Sequence, residues 1–413
     1  MNDPAPSEPR DPAVAGHAAH AADPTLGLTV WAEIDHAAIA HNVRVLRERA
    51  PQSDFMAVVK ADAYGHGLLP VARTAVAAGA NWLGVAQFSE AFALRDAGLT
   101  TPVLTWLSVP GSDFIGAVAR DIDLSASAPW VIDEIASAAF ALGRTARVHL
   151  KVDTGLGRGG AYGADWDTLV ARARRFEAEG TVKVVGIWQH FAHADAPEHP
   201  TVLAQQERFF EAVAIAERAG CRPEVRHLAN SAATLVHPSA HADLVRPGIA
   251  MYGLTPVPQI DDDFGLRPAM TVRARLALVK RLPAGQGISY GHAYVTDSET
   301  VVGLIPAGYA DGIPRNATNV GPLLADGRRT AIAGRVCMDQ VVVDLGPTSR
   351  AAAGDVVTLF GGAPGEPTAQ DWADATDTIS YEIVTRLGPR VPRLHIGAEG
   401  AAGAQAAEGA EVA

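Results

Sequence analysis

The sequence predicts an α/β fold with a (β/α)8 TIM-type barrel followed by a mostly antiparallel β domain. Three observations lead to this prediction. The chain has 413 residues, enough for about two or three domains. Over residues 26–259, short runs of β-branched and aromatic residues alternate eight times with longer stretches of helical spacing. From residue 260 onward, alternating apolar runs are interrupted repeatedly by Gly and Pro, which is typical of antiparallel strands.

The eight runs have the length and composition of strands buried in a parallel barrel. They are predicted at Phe55–Lys60, Trp82–Gln87, Val103–Leu107, Asp123–Ser127, Arg147–Val152, Val182–His190, Val225–Ala229 and Asp243–Arg246. The stretches between them carry apolar stripes at helical spacing. Ile39, Val43 and Leu46 form one stripe, and Phe209 and Val213 begin another.

The second domain is predicted over 260–397, where runs such as TVRARLALV, TVVGLIPAG and QVVVDLG follow one another. The run Leu28–Ile34 precedes the barrel pattern, and we expect it to open the barrel domain or to join the second domain. Residues 1–25 and 398–413 show no periodicity and few large apolar residues. We expect both to be disordered tails, because they bury too little apolar surface to offset the entropy of ordering.

Composition and charge argue against several classes of protein. A net charge of −12 leaves no basic face for nucleic acid. No apolar run reaches the roughly 18–20 residues that span a bilayer, and the N-terminus lacks the pattern of a secretory signal. Cys221 and Cys337 lie too far apart in sequence to suggest a disulfide framework. We therefore expect a cytoplasmic protein.

The first candidate functional residue is Lys60. It stands where the first predicted strand ends, at AVVKADAYGHG, and barrel enzymes place their functional groups at the carboxyl ends of strands. A lysine there can form a Schiff base with an aldehyde or move a proton. The alternative is a surface lysine whose stem packs on apolar neighbours. Tyr64 and the run Gly65–Gly67 follow closely and favour the functional interpretation.

AVVKADAYGHG resembles the cofactor-lysine motif of alanine racemases, barrel enzymes that use pyridoxal 5'-phosphate (PLP). Further segments similar to this family follow in order: LKVDTGLGR, QHFAHADAPE, HLANSAA, RPGIAMYG, ISYGHAY, GYADGIPR, GRVCMDQ and ISYEI. The resemblance covers residues 28–396 and therefore both predicted domains.

The resemblance implies how PLP is held. Lys60 would carry it as an internal aldimine and act as one catalytic base. The phosphate would be bound, next to Asn230, by Tyr64, Ser231, Tyr381 and the backbone N–H groups of Gly248 and Ile249. Hydroxyl and amide donors suit such a dianion. Ser231 could also cap the helix that follows.

The resemblance also implies that Arg246 faces the pyridine nitrogen, with His190, and His227 as a second candidate, orienting it. A carboxylate at this place keeps the ring protonated and makes it a strong electron sink. A guanidinium keeps its proton and leaves the ring nitrogen neutral, so we expect fewer side reactions such as transamination.

Lys151 and Arg158 lie in LKVDTGLGR. By resemblance, Arg158 would bond the phenolic oxygen of PLP and approach the substrate carboxylate. The resemblance also implies that Lys151 is carbamylated, and an unmodified Lys151 beside Arg158 would place two cations in unfavourable contact. Leu156 and Gly159 depart from the family, where methionine and leucine are common. The first exchange nearly conserves volume, whereas the second removes a packing side chain.

By the same resemblance, Tyr290 in ISYGHAY is the second catalytic base. Racemisation removes a proton from one face of Cα and returns one to the other, so two bases on opposite sides suit it. The family forms homodimers in which the tyrosine reaches the partner's site. Met338 would offer its backbone N–H to the substrate carboxylate. The residues implied to narrow the entrance are Asp195, Tyr309, Arg315, Arg335 and Ile379.

The predicted function is interconversion of L- and D-alanine, supplying D-alanine for peptidoglycan. One alternative is a racemase of broader specificity, since one methylene in a pocket changes binding by only about 1–3 kcal/mol. Others are a decarboxylase on the same two-domain plan and a non-catalytic PLP-binding protein. The decarboxylases differ around the pyridine nitrogen, and the PLP-binding proteins lack the β domain.

Two further patterns suggest other ligands. Gly155–Gly160 spells G-x-G-x-x-G, but no acidic residue ends the next predicted strand, as a dinucleotide site requires. His190, His193, Asp195 and His199 could be read as metal ligands. Their spacing matches no common zinc pattern, so we expect no metal.

Overall fold

The computed structural model of the chain describes residues 23–397. The predicted tails 1–25 and 398–413 lie outside this range apart from residues 23–25. There the backbone N–H of Leu26 donates to the carbonyl of Asp23 (3.1 Å) and starts a turn. Within residues 23–397, no helix combines the length and apolar character needed to cross a bilayer.

Eight parallel strands form a barrel after an initial strand that belongs to another sheet. In chain order these strands are β1 (Val30–Asp35), β2 (Asp54–Val58), β3 (Trp82–Val85), β4 (Val103–Thr105), β5 (Asp123–Ala126), β6 (Ala146–Lys151), β7 (Val182–Trp188), β8 (Val225–His227) and β9 (Leu244–Val245). The barrel order is β8-β7-β6-β5-β4-β3-β2-β9. The sheet closes because β9 also bonds to the end of β8, where Arg246 N donates to Ala229 O (2.9 Å). The predicted barrel is confirmed.

Helices connect the barrel strands and cover their outer side. They are α1 (His36–Arg49), α2 (Lys60–Gly65), α3 (Leu68–Ala77), α4 (Phe88–Asp96), α5 (Phe114–Ala119), α6 (Pro129–Leu142), α7 (Ala164–Ala178), α8 (Thr201–Arg218) and α9 (Ser231–Val236). Helix α1 begins where the Asp35 carboxylate accepts from two backbone N–H groups (2.8 and 3.1 Å). Both predicted apolar stripes, on α1 and on α8, are buried.

The barrel strands end up to two residues earlier than the sequence predicts. The run predicted at Phe55–Lys60 ends at Val58, and the run predicted at Val182–His190 ends at Trp188. At these points the backbone turns out of the sheet, so that the side chains that follow stand above the barrel instead of inside it.

The remaining strands form mostly antiparallel sheets, as predicted. They are β10 (Met270–Arg275), β11 (Leu278–Leu282), β12 (Gly287–Ile288), β13 (Tyr294–Val295), β14 (Thr300–Ile305), β15 (Pro322–Ala325), β16 (Arg328–Ala331), β17 (Val341–Gly346), β18 (Val356–Phe360) and β19 (Arg393–Ile396). Strand β1 pairs antiparallel with β10 and parallel with β19 in a sheet ordered β16-β15-β18-β10-β1-β19. The first strand of the described chain therefore lies in the sheet of the later part.

Two helices of the later part, α10 (Ala369–Ala375) and α11 (Ser380–Thr385), lie near the barrel mouth. Helix α11 packs closely on α2, since a Cβ at Gly65 would lie 2.4 Å from the carbonyl oxygen of Val384. Arg393 Nε also donates to the carbonyl of Gly65 (3.0 Å). This contact brings Tyr381 to the carboxyl ends of the barrel strands, with its ring centroid 6.2 Å from that of Tyr64.

Candidate active site

A cavity of about 460 Å³, here named the lysine cavity, opens at the carboxyl ends of the barrel strands. It brings together every residue to which the sequence assigns a role in cofactor binding, and Lys151 with them. These lining residues are Lys60, Tyr64, Lys151, Arg158, His190, Asn230, Ser231, Arg246, Gly248, Ile249 and Tyr381. Trp106 and Trp188 also line it, and sequence reasoning did not single them out.

Lys60 directly follows β2 and begins a turn that winds left-handed. Residues Ala61–Tyr64 have φ values between 53° and 55°, which cost non-glycine residues about 1–2 kcal/mol each. Glu90 holds the turn, because its Oε1 accepts from the backbone N–H of Ala61 (2.6 Å). Burial lowers the pKa of Lys60, and the charge of Arg158 lowers it further. The amine therefore loses its proton more readily than a surface lysine does.

Hydroxyl and amide groups converge on one wall of the cavity. Ser231 Oγ accepts from the backbone N–H of Gly248 (2.8 Å). A Cβ at Gly248 would lie 2.2 Å from the Tyr64 hydroxyl oxygen, so glycine is what allows this approach. Burial raises the pKa of Tyr64 and of Tyr381, which keeps both phenols protonated as donors. The cap of α9 is Asn230, whose Oδ1 accepts from the backbone three residues on (3.0 Å), and not Ser231.

Arg246 stands just beyond β9 and is buried. Its Nη2 donates to the carbonyls of Gln189 (2.9 Å) and Leu228 (3.1 Å), and its Nη1 lies 3.3 Å from His227 Nδ1. Burial lowers the pKa of Arg246 to about 9, which leaves the guanidinium charged at neutral pH. His227 therefore supplies the histidine contact that the sequence assigns first to His190. His190 lines the cavity, and burial keeps its ring neutral by lowering its pKa.

Lys151 ends β6 and lies over the face of Trp188, with Nζ 4.4 Å from the ring centroid. Burial lowers the pKa of Lys151 to about 8, and the charges of Arg158 and Arg246 contribute. A Cβ at Gly159 would lie 3.6 Å from Lys151 Nζ. The absence of a side chain at Gly159 thus leaves space beside this amine.

Tyr290 and Met338 line a second cavity of about 420 Å³, here named the tyrosine cavity. Both are exposed, Tyr290 to 72% and Met338 to 54%. Ser289, which precedes the tyrosine, donates from Oγ to the carbonyl of Arg335 (2.8 Å). Within the described part of the chain, the two residues predicted as proton carriers therefore line different cavities.

The residues predicted to narrow the entrance also divide between these regions. Asp195 and Ile379 line a third cavity of about 350 Å³, which shares Asn230 and Tyr381 with the lysine cavity. Tyr309 lies with the tyrosine cavity, since its backbone N–H donates to the carbonyl of Cys337 (3.0 Å). Arg335 lies there as well, next to Gly291. Arg315 begins a short 3-10 turn, Arg315–Ala317.

The glycine pattern at Gly155–Gly160 and the histidine pattern at 190–199 have other roles in the structure. The loop Gly155–Gly160 follows a barrel strand, not a strand of a doubly wound sheet. Its last glycine is required by a tight turn, because a Cβ there would lie 2.6 Å from the backbone nitrogen of Asp153. His193 and His199 stack with ring centroids 3.9 Å apart. Among residues 23–397, no three His, Cys, Asp or Glu side chains are grouped to hold a metal ion.

Two family descriptions match most of the chain. Residues 34–256 match the alanine racemase N-terminal domain, and residues 269–395 match the alanine racemase C-terminal domain. A protein of Frankia casuarinae named alanine racemase is 58% identical over 368 residues, which is 88% of this chain and 96% of that protein. A protein of Streptomyces coelicolor with the same name is 58% identical over 377 residues, 89% of this chain and 96% of its own length.

Solved structures agree with the sequence relatives. A crystal structure of alanine racemase from Streptomyces lavendulae aligns with a TM-score of 0.88 at 56% identity, covering 90% of this chain and 97% of that one. The alanine racemase of Bacillus anthracis with bound L-Ala-P aligns with a TM-score of 0.83 at 35% identity, covering 90% and 96%. Both the barrel and the sheets that follow it are thus those of one known group of proteins, and the chain belongs to the alanine racemase family.

Proposed function

We propose that this chain is a PLP-dependent alanine racemase that interconverts L- and D-alanine. The observation that carries the proposal is the lysine cavity. In it a buried amine, a wall of hydroxyl and amide donors and a buried guanidinium face one space at the mouth of a barrel. The names of the close relatives point to the same reaction.

The residues present fit PLP. Lys60 supplies an amine of lowered pKa for the aldehyde. The two phenols and the Ser231–Gly248 pair offer donors to a phosphate. Arg246 offers a permanently donating group to the ring nitrogen, and its pKa of about 9 keeps it protonated at neutral pH. When bound, PLP withdraws electrons from the amino acid and so makes the proton on Cα removable.

Two residues of the chain move the proton at Cα. Lys60 removes or returns it on one face, and Tyr290 acts on the opposite face. The two side chains line different cavities of one chain, and Tyr290 is 72% exposed. This separation supports a homodimer in which Tyr290 of each copy completes the lysine cavity of the other. Met338 lies beside Tyr290 and would bring its backbone N–H to the substrate carboxylate.

Arg158 lines the cavity and would hold the substrate carboxylate and the phenolic oxygen of PLP. Lys151 holds it there after reacting with carbon dioxide. The neutral amine attacks the carbon and loses a proton, which leaves a carbamate anion beside the guanidinium. A pKa of about 8 gives Lys151 a usable neutral fraction at physiological pH, and Gly159 leaves space for the added group.

The two enantiomers have equal free energies in water, so the enzyme sets only how fast they interconvert. In the cell we place the enzyme in the cytoplasm, as a source of D-alanine for peptidoglycan. Turnover of serine and of larger amino acids, measured beside alanine, would distinguish this function from a racemase of broader specificity.

Subunit complementation tests the shared site directly. Lys60→Ala and Tyr290→Phe chains are purified, mixed in equal amounts and allowed to exchange subunits. Each mixed dimer then holds one site with both native groups, so we expect about a quarter of wild-type racemisation, far above the sum of the two variants. Mixing Lys60→Ala with itself is the control. If the mixture recovers no activity although mixed dimers form, the shared site is wrong.

A further inference from the structure

Four buried side chains form a continuous line of hydrogen bonds from the lysine cavity into the barrel. Arg246 Nη1 lies 3.3 Å from His227 Nδ1, and His227 Nε2 lies 2.9 Å from His149 Nδ1. His149 Nε2 lies 3.2 Å from Asp123 Oδ2. None of the four residues is more than 5% exposed, so water does not compete for these bonds.

The line has only one consistent arrangement of protons. A guanidinium can only donate, so His227 Nδ1 must accept. The one proton of this neutral ring is then on Nε2 and is donated to His149 Nδ1. His149 must therefore carry its own proton on Nε2 and donate it to the carboxylate of Asp123. Burial and the charge of Arg246 lower the pKa of His227, which agrees with a neutral ring.

The far end of the line is fixed by a second arginine. Arg147 donates from Nε to Asp123 Oδ1 (2.7 Å) and from Nη2 to Oδ2 (3.2 Å). Burial alone would raise the pKa of Asp123, but the hydrogen bonds from His149 and Arg147 lower it overall. Asp123 is thus a charged acceptor. Through two neutral rings it faces a buried cation at the active site.

A glycine in the neighbouring strand makes the line possible. Gly186 of β7 pairs with His149 of β6 on one side and with Val225 of β8 on the other. A Cβ at Gly186 would lie 2.3 Å from His149 Nδ1, the atom that accepts from His227. The backbone conformation of Gly186 does not itself demand glycine, so the requirement is for space beside the His149 ring.

We propose that Asp123, His149 and Gly186 are positioning residues that hold Arg246 toward the cofactor through His227. Asp123 fixes the direction in which every group of the line donates, and this leaves His227 able only to accept from the guanidinium. The inference deepens the proposed function, since it assumes that Arg246 faces the ring nitrogen of PLP.

Neutron diffraction on crystals of the holoenzyme tests the proton arrangement without any turnover. We expect both His227 and His149 to be neutral, with the proton on Nε2. A proton on His227 Nδ1, or two protons on His149, would overturn the proposal, and either result would stand even if the enzyme acted on another amino acid.

Asp123→Asn should reverse the line. The Arg147 guanidinium donates to the one side-chain oxygen of the asparagine. The asparagine N–H₂ then faces His149, so His149 Nε2 must accept. Both rings then carry the proton on Nδ1. The N–H of His227 Nδ1 would therefore face the N–H of Arg246 Nη1, and no hydrogen bond can form between them. Neutron diffraction should show this reversal. We also expect the rate of PLP-linked transamination relative to racemisation to rise about tenfold, as for one lost buried hydrogen-bond partner.

Asp243→Asn is the matched control. Asp243 also pairs with an arginine in two bonds, Arg226 Nε (2.7 Å) and Nη2 (3.1 Å), but it does not take part in the line to Arg246. The Asp243→Asn variant should lose stability without changing the rate of transamination relative to racemisation. Gly186→Ala should change that ratio as Asp123→Asn does. If Asp123→Asn keeps the native protons, or changes the ratio no more than Asp243→Asn, the three residues serve stability alone. If wild type does not racemise alanine, the proposed function fails while the proton positions still decide the line.

Discussion

The lysine cavity and the tyrosine cavity differ in how far one chain completes them. In the first, Ser231 and Arg246 are buried and hydrogen-bonded, and the glycine at position 248 leaves room for the Tyr64 hydroxyl. In the second, Tyr290 is 72% exposed, and the preceding Ser289 bonds to the carbonyl of Arg335. One chain therefore assembles the lining of the lysine cavity by itself, whereas it presents Tyr290 on an open surface. Such a surface is suited to a partner.

The largest effect should come from removing the amine of the lysine cavity. Lys60→Ala loses both the attachment point for PLP and one proton carrier, so we expect racemisation to fall by at least about 10³-fold. The visible absorbance of bound PLP should change at the same time. Lys280→Ala, an exposed lysine of β11, is the control and should change neither. Near-normal racemisation in the Lys60→Ala variant would show that this amine is not needed for the reaction.

Tyr290→Phe tests the tyrosine cavity. Since the enantiomers have equal free energies, kcat/KM must fall equally in both directions, and we expect a loss of about 10²-fold. The asymmetry should appear in solvent deuterium exchange at Cα. One enantiomer should still exchange through Lys60 and the other should not, while PLP absorbance is unchanged.

Tyr162→Phe is a suitable control for that experiment, because Tyr162 is exposed to a similar extent, 74%. It should leave exchange from both enantiomers intact. Equal and modest losses of exchange for the two enantiomers in Tyr290→Phe would remove this tyrosine from the reaction.

Gly248→Ala tests whether PLP binding needs the close approach of the Tyr64 hydroxyl to residue 248. Its Cβ would lie 2.2 Å from the Tyr64 hydroxyl oxygen, so the tyrosine must move away from the phosphate wall. We expect PLP to bind about tenfold more weakly, the size of one lost charge-assisted hydrogen bond. Equilibrium dialysis measures the affinity. Gly388→Ala, where a Cβ would lie 3.3 Å from the nearest atom, is the control. Equal PLP affinity in the two variants would show that the close approach is not needed.

The last effect is on stability instead of activity, and it follows from the pKa of Lys151. The folded-state pKa of about 8 lies below the ordinary lysine value of 10.5, which applies to the unfolded chain, so the unfolded chain binds more protons between these pH values. In buffer free of carbon dioxide, the stability of the wild type relative to Lys151→Met should therefore rise with pH across this window, by about 2 kcal/mol.

Urea unfolding of both proteins at several pH values measures this difference. Adding bicarbonate should flatten it, because a carbamate replaces the ammonium, and the mass of wild type should increase by one carbon dioxide. A pH dependence that bicarbonate leaves unchanged would speak against the modification.

Much of the fold was predictable because the barrel strands repeat a short apolar pattern between amphipathic helices. The strand ends were overestimated at Lys60 and His190, since the pattern of apolar residues does not show where the backbone leaves the sheet. The left-handed turn at Ala61–Tyr64 contains no glycine and left no signal in the sequence. Contacts such as the hydrogen bond from Ala61 N–H to Glu90, which is distant in sequence, offset the conformational free energy of this turn.

The lining of the lysine cavity was also predictable, through the motifs of the family. Trp188 was missed because an aromatic residue in a strand is usually core. The line behind Arg246 did leave a signal: Asp123 and His149 interrupt otherwise apolar strands, and Gly186 stands in the middle of one. Within one chain Tyr290 and Lys60 line different cavities, and in the proposed homodimer they would meet through a second copy.

The first and last strands of the barrel, β2 and β9, lie side by side. Lys60 follows one of them and Arg246 follows the other, so the cavity straddles this seam. Joining chain segments so distant in sequence is slow and costs entropy. A small molecule bound by residues that follow both strands would stabilise the closed barrel. Its concentration would then affect how much newly made chain reaches the native state.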